Sequence, residues 1–133
     1  MPEITNKNLR PSDVETLLRR ILELALQRSG AHSGGLFLWD EATRGLALRY
    51  QVEEGLFINR PDKLIRPRGD GRPDGIPLLV HSRKAPYLCP DGNADPEHAP
   101  LFGERSIAAV PISVQGKVIG VLAISDLRPQ VFG

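Results

Sequence analysis

Apolar positions near the start of the chain recur at helical spacing. Val14, Leu17, Leu18, Ile21, Leu22, Leu24, Ala25 and Leu26 occupy a wheel arc of roughly 200°, about twice the width of an ordinary core stripe. Ser12 and Glu15 have the spacing of a capping box, Asp13 suits the positive helix end, and Gly30 supplies a stop. Together they predict a helix over residues 13–29. One sheet face cannot cover so wide an arc. Either the helix is sunk between the sheet and another element, or its outer edge packs on a second subunit. On the second alternative, Leu18, Leu22 and Leu26 are the candidate dimer contacts.

The pattern then changes to that of strands. Leu36-Phe37-Leu38-Trp39 is a short continuous apolar run, and residues 40–45 read as a turn. In the next segment Leu46, Leu48, Tyr50 and Val52 alternate with Ala47, Arg49 and Gln51, so the first set is expected on one face and the second on the other. Periodicity weakens from Glu53 to Pro73, where only Leu64-Ile65 suggests a strand. There Arg60, Lys63, Arg66, Arg68 and Arg72 outnumber Asp62 and Asp70, a pattern that reads first as a solvated basic loop. Asp74 is placed to cap a short helix over residues 75–81, with Pro77 tolerated in its first turn. Residues 85–89 suggest a further strand, followed by an acidic stretch with Asp91, Asp95, Glu97 and Glu104. Residues 106–114 and 118–125 form two strong strands joined through Gln115-Gly116, which suits a two-residue hairpin. Pro111 lacks an N–H and marks an edge position or a bulge.

Helix, hairpin, irregular middle with a small helix, then hairpin: this order implies an α+β class built on an antiparallel sheet. A length of 133 residues suits a single domain with one core. Of its 13 glycines and 12 prolines, more than half lie between residues 55 and 103, so the middle should be rich in loop. A net charge of +1 argues against a dedicated nucleic-acid-binding domain, which ordinarily carries a basic excess. No apolar run approaches the roughly 18 residues of a membrane helix, and the polar N-terminus lacks a signal-peptide core. A single cysteine, Cys89, cannot form an internal disulfide, which agrees with a cytoplasmic location.

Two stretches resemble the GAF domain, a small-molecule sensory module related in architecture to PAS domains. Asp74-Gly75-Ile76-Pro77-Leu78-Leu79-Val80 with Ala85-Pro86-Tyr87-Leu88-Cys89-Pro90-Asp91 is similar to the family's short helix and the Pro-containing strand after it. Ser106-Ile107-Ala108-Ala109-Val110-Pro111-Ile112 with Gly116-Lys117-Val118-Ile119-Gly120-Val121-Leu122 is similar to its closing hairpin. The resemblance spans residues 12–126 and leaves 127–133 as a tail. It implies an antiparallel sheet of five or six strands, with the N-terminal helix on one face and loops plus a short helix over the other. Between sheet and loops it implies a pocket for a small-molecule effector, whose candidate lining residues are Phe37, Trp39, Tyr50, Phe57, Ile65, Ile76, Leu79, Val80, Tyr87 and Phe102. The family also favours a homodimer through its helices. It usually closes with a long C-terminal helix that this tail does not supply, which suggests a fragment of a bacterial signal-transduction protein with an output domain beyond residue 133.

Specific GAF chemistries find little support in these residues. Cys89 precedes Pro90, whereas bilin-binding members commonly have His after the attachment cysteine; the cyclic-nucleotide signature has no counterpart. Methionine sulfoxide reductases of this fold use several cysteines, and one cannot run an internal disulfide cycle. His32, His81, Cys89, Asp91, Asp95 and His98 match no tight metal-binding spacing, so no metal site is assigned and the cofactor is left open. The expectation is therefore a non-catalytic sensory or regulatory domain that transmits ligand binding through dimer helices. The alternatives are a degenerate GAF domain serving only dimerisation or protein interaction and, third, a redox enzyme using Cys89.

Overall fold

A computed structural model of the chain describes residues 3–4, 11–53, 56–58, 64–67, 69, 74–96 and 104–129. Helix α1 spans Pro11–Ser29 and so begins earlier than the capping pattern suggests. Proline is favourable in the first helical position, where an N–H would have no intrahelical partner, and Ser12 therefore lies inside the first turn. Glu15, the other half of the expected box, turns instead to the sheet and accepts a hydrogen bond from Arg49 Nε at 2.8 Å.

The strands are β1 (Glu3–Ile4), β2 (Ser33–Asp40), β3 (Gly45–Glu53), β4 (Leu56–Ile58), β5 (Leu64–Ile65), β6 (Tyr87–Cys89), β7 (Ser106–Val114) and β8 (Lys117–Asp126), with helix α2 (Ile76–Arg83) between β5 and β6. The sheet runs β1-β7-β8-β2-β3-β4, with β5 attached to β3 and β6 to β7. Every pairing is antiparallel except the short parallel contact of β1 with β7. Helix α1 packs on β2 and β8 from one side, and α2 on β3, β7 and β8 from the other. This is the α+β arrangement expected, with β1 and β4 added where the sequence reading places no strand.

Gln115 and Gly116, with φ of 51° and 80°, form the β7–β8 turn, the doubly positive geometry that matches the twist of a tight hairpin. Pro111 lies between the part of β7 paired with β6 and the part paired with β1, so its missing N–H interrupts neither ladder. Helix α2 is preceded by Gly75, at φ 101°, which takes the N-cap position expected for Asp74.

The decisive irregularity is in β3. Leu36 pairs with Tyr50 but Phe37 pairs with Leu48, which makes Arg49 an extra residue on the β3 side. The bulge reverses the alternation. Leu46 and Leu48 pack in a core that includes Phe37, Val121 and α2, whereas Tyr50 and Val52 pack in a second core under α1. The four apolar residues expected on one face are thus divided between two, and Gln51 is carried to the α2 face.

Under α1, Leu18 and Leu22 are fully buried with Leu36, Val52, Ile112 and Leu122, and Leu26 is half-buried at the margin of this cluster. Leu18 and Leu22 are therefore core residues rather than dimer contacts, because the sheet takes the inner part of the wide apolar arc. Its outer part is exposed: Leu17 is 42% and Leu24 51% accessible.

Candidate ligand-binding site

On the sheet face opposite α1, strand register sets out a row of side chains: Gln51 on β3, Gly35 on β2, Ala123 on β8 and Ala109 on β7. The next row carries Ser33, Ser125 and Ile107. Gly35 and Ala123 leave room above the sheet, and Pro77 of α2 closes over it. The result is a small, partly open cavity of about 20 Å³ lined by Ser33, Gly34, Gly35, Phe37, Gln51, Pro77, Glu104, Ile107, Ala123 and Ser125.

The polar lining is mostly buried. Ser33 Oγ and Ser125 Oγ share a hydrogen bond of 2.8 Å across β2 and β8. Glu104 is 6% exposed. Gln51 is 1% exposed, and neither its Oε1 nor its Nε2 has a hydrogen-bond partner. Leaving a buried amide unpaired costs on the order of 1–3 kcal/mol, so this side chain is unfavourable as it stands and favourable once a partner enters the cavity.

A larger cleft of about 180 Å³ runs along α2, between Trp39, Pro67, Asp74, Gly75, Leu78, Leu79, His81 and Ser82. Trp39 and His81 stack there with ring centroids 4.3 Å apart and an interplanar angle of 12°, while Trp39 Nε1 donates to Glu41 at 2.8 Å. Burial, then Lys84, pushes the His81 pKa below its ordinary value.

Seven of the ten lining residues expected from sequence lie on this face. Phe37, Ile65, Ile76 and Val80 are buried in its core, with Trp39, Leu79 and Tyr87 packed at the margin. Among them Phe37 borders the small cavity, Trp39 and Leu79 the cleft. Tyr50 is a correction: the bulge at Arg49 turns it to the α1 face, where the Arg19 guanidinium carbon lies 4.5 Å from its ring centroid. Phe57 is described only as part of the β4 backbone, and Phe102 lies outside the described residues. Gln51, Ser33, Ser125 and Glu104 were missed. A faint signal was present in Gly34-Gly35, two residues without side chains inside a strand that is otherwise mostly large and apolar.

Cys89 is fully buried in the same core. Burial first, then the carboxylate of Asp95, pushes its thiol up to about 12, so little thiolate is present at neutral pH. Nearby, Arg105 Nη2 donates to both carboxylate oxygens of Asp91 at 3.1 Å, and Tyr87 donates to Asp95 at 2.8 Å. Among the described residues no group of His, Cys, Asp and Glu is arranged to hold a metal ion, and no helix is long and apolar enough to cross a membrane.

The chain belongs to the GAF domain family, whose profile matches residues 13–133. Among solved structures it is similar to the free methionine-R-sulfoxide reductase from Neisseria meningitidis in complex with its substrate, at 21% identity and TM-score 0.64 over 86% of this chain and 63% of that one. It is also similar to the GAF domain of an Acinetobacter phosphoenolpyruvate-protein phosphotransferase, at 18% identity and TM-score 0.65 over 83% of this chain and 63% of that one. A third likeness is to NreA of Staphylococcus aureus mutated in its nitrate binding site, at 22% identity and TM-score 0.62 over 85% of this chain and 86% of that one. No curated protein sequence is a significant match. At these identities the structural likeness shows the fold alone, and the chain spans less than two thirds of the Neisseria enzyme. The first of these neighbours overturns the expectation of a non-catalytic domain: the fold that this chain adopts is also that of an enzyme, and fold by itself does not exclude catalysis.

Proposed function

We propose that this GAF domain binds a small polar molecule on the sheet face opposite α1, in the cavity at Gln51, and acts as a sensory element of a larger signalling protein. The observation that carries this reading is the Gln51 amide, buried and unpaired in both its donor and its acceptor, lining a small cavity. The same space is bordered by Ser33 and Ser125, which directly adjoin a junction of chain segments in sequence. Asp126 accepts from the His32 N–H at 3.1 Å, at the entry to β2, and from the Arg128 N–H at 3.0 Å, just past β8. A ligand that rearranges the serine pair therefore acts next to the points where α1 enters the sheet and where the chain leaves it. Such a ligand shifts an equilibrium only by its differential affinity for the two arrangements.

The exposed Leu17 and Leu24 favour a second element of the reading, association of α1 with another copy of the chain. Ligand binding is tested by thermal denaturation against a broad set of small polar metabolites. Saturable stabilisation by at least one compound, lost when Ser33 and Ser125 are both replaced by valine, is expected. No stabilisation across the set overturns the reading.

A further inference from the structure

We infer that the cavity at Gln51 recognises an uncharged carboxamide-type group, one carrying a carbonyl acceptor beside an N–H donor, and discriminates against small anions. This rests on the ligand-binding reading above and specifies the ligand class of that site.

A primary amide side chain offers two donor hydrogens on Nε2 and two acceptor lone pairs on Oε1. In Gln51 both atoms lack partners, so exchanging their assigned positions leaves the same need. A carboxylate or nitrate supplies acceptors alone and would leave Oε1 unsatisfied. An ammonium supplies donors alone and would leave Nε2 unsatisfied. A carboxamide, a urea or a lactam edge satisfies both through paired antiparallel hydrogen bonds. The serine pair adapts to either, since in Ser33–Ser125 either hydroxyl can donate.

Charge points the same way. No cationic side chain is among the described residues that line the cavity, and the ionisable group there is the acidic Glu104. An anion would lose its hydration with no cation among these lining residues to replace it. Shape restricts the remainder of the molecule, because Gly34, Gly35 and Ala123 provide a shallow floor and Phe37, Ile107 and Pro77 provide apolar walls.

At about 20 Å³ the cavity matches a single water, which needs at least about 10–15 Å³. An amide group enters by displacing the Pro77 wall. That wall is the first turn of α2, where Gly75 at the N-cap supplies no side-chain hydrogen bond.

Acetamide and acetate, nearly equal in shape but different in charge and donor content, are the probes, with nitrate as a third. They are titrated into the isotopically labelled chain at constant ionic strength while the side-chain amide resonances of Gln51 and the backbone amides of Gly75 to Leu78 are followed. Acetamide should shift these signals saturably at millimolar concentration, whereas acetate and nitrate should leave them in place. Gln51→Leu, close in volume and free of unpaired polar atoms, should remain folded and weaken acetamide binding at least about tenfold. Two results overturn the inference: acetate or nitrate saturating the Gln51 signals, or Gln51 remaining silent to acetamide, which would mark the cavity as the seat of a buried water. If Gln51 is silent while another metabolite stabilises the domain, the ligand class fails and the sensory reading stands. If no metabolite stabilises it either, both fail.

Discussion

Arg49 Nε donates to Glu15 Oε1 at 2.8 Å, linking the extra residue of β3 to the first turns of α1. The contact sits on the bulge that turns Gln51 toward α2 and Tyr50 toward α1. The Arg49 side chain is 45% exposed, so solvent screens the pair, and Arg49→Ala should cost less than about 1 kcal/mol. Deleting Arg49 is a different perturbation. It restores strict alternation and forces either Leu46 and Leu48 or Tyr50 and Val52 onto the wrong face, at a cost of at least about 3 kcal/mol. Urea denaturation of the two variants distinguishes the ion pair from the register.

The two edges of α1 should respond oppositely to charge. Leu22→Glu places a carboxylate among fully buried side chains and should cost at least about 3 kcal/mol, unfolding much of the population. Leu24→Glu, at a position 51% exposed, should remain within about 0.5 kcal/mol of the parent. Sedimentation of the Leu24→Glu chain then reports association through α1 without a folding defect. A parent mass that is monomeric at all concentrations and unchanged by the substitution removes the dimer proposal.

The thiol of Cys89 should resist modification. It is fully buried, with its pKa raised to about 12 by burial and Asp95, so alkylation by iodoacetamide near neutral pH should follow opening of the domain and accelerate sharply in denaturant. The sign of the linkage is definite. The unfolded thiol ionises from its ordinary 9.0 upward while the folded one keeps its proton, so this contribution to stability falls as pH rises above 9.0 toward about 12.

Asp126 should dominate the acid limb of the stability curve. It is 2% exposed and accepts bonds from the His32 and Arg128 N–H groups and from Arg128 Nε and Nη2. The Arg128 side chain, foremost, holds its carboxyl far below the usual carboxylate range. The resulting stabilisation is complete above the unfolded value of 3.8 and is lost as pH falls from there toward the depressed folded value. Asp126→Asn should lower stability at neutral pH by about 2 kcal/mol and flatten the acid limb, as measured by denaturant titration across pH.

Trp39 is the single tryptophan of the chain, and its stack on His81 makes fluorescence a reporter of that imidazole. Burial, then Lys84, lowers the His81 pKa. The fluorescence transition of the folded protein should accordingly lie below pH 6.5, and Lys84→Ala should move it upward. As pH falls below 6.5 the unfolded state binds the proton first, so stability declines until folded His81 is itself protonated.

Much of the fold was legible because its signals are local. The α1 periodicity, the Gly30 stop and the Gln115-Gly116 turn each depend on residues within a few positions of one another, and the GAF resemblance rests on two continuous stretches. The candidate site was legible only in part. Phe37, Trp39 and Leu79, apolar residues that the pattern singles out, border cavities, but Gln51 looks like an outward-facing polar residue in a regular strand. No neighbouring residue in sequence announces that Arg49 is the extra one.

By itself, then, the sequence determined most of the elements, their order and the family, through spacing and turns that short-range sterics and hydrogen bonding decide. Only the tertiary structure decided which faces those elements present. Packing of Phe37 against Leu48, and of Leu36 and Tyr50 beneath α1, selects a register with one residue set aside; the sheet then covers Leu18 and Leu22 while leaving Leu17 and Leu24 outside. A period of two is reversed by one inserted position, and the energy that inserts it comes from side chains far apart in the chain. For that reason the buried amide at the centre of the proposed site appears only after the strands are paired.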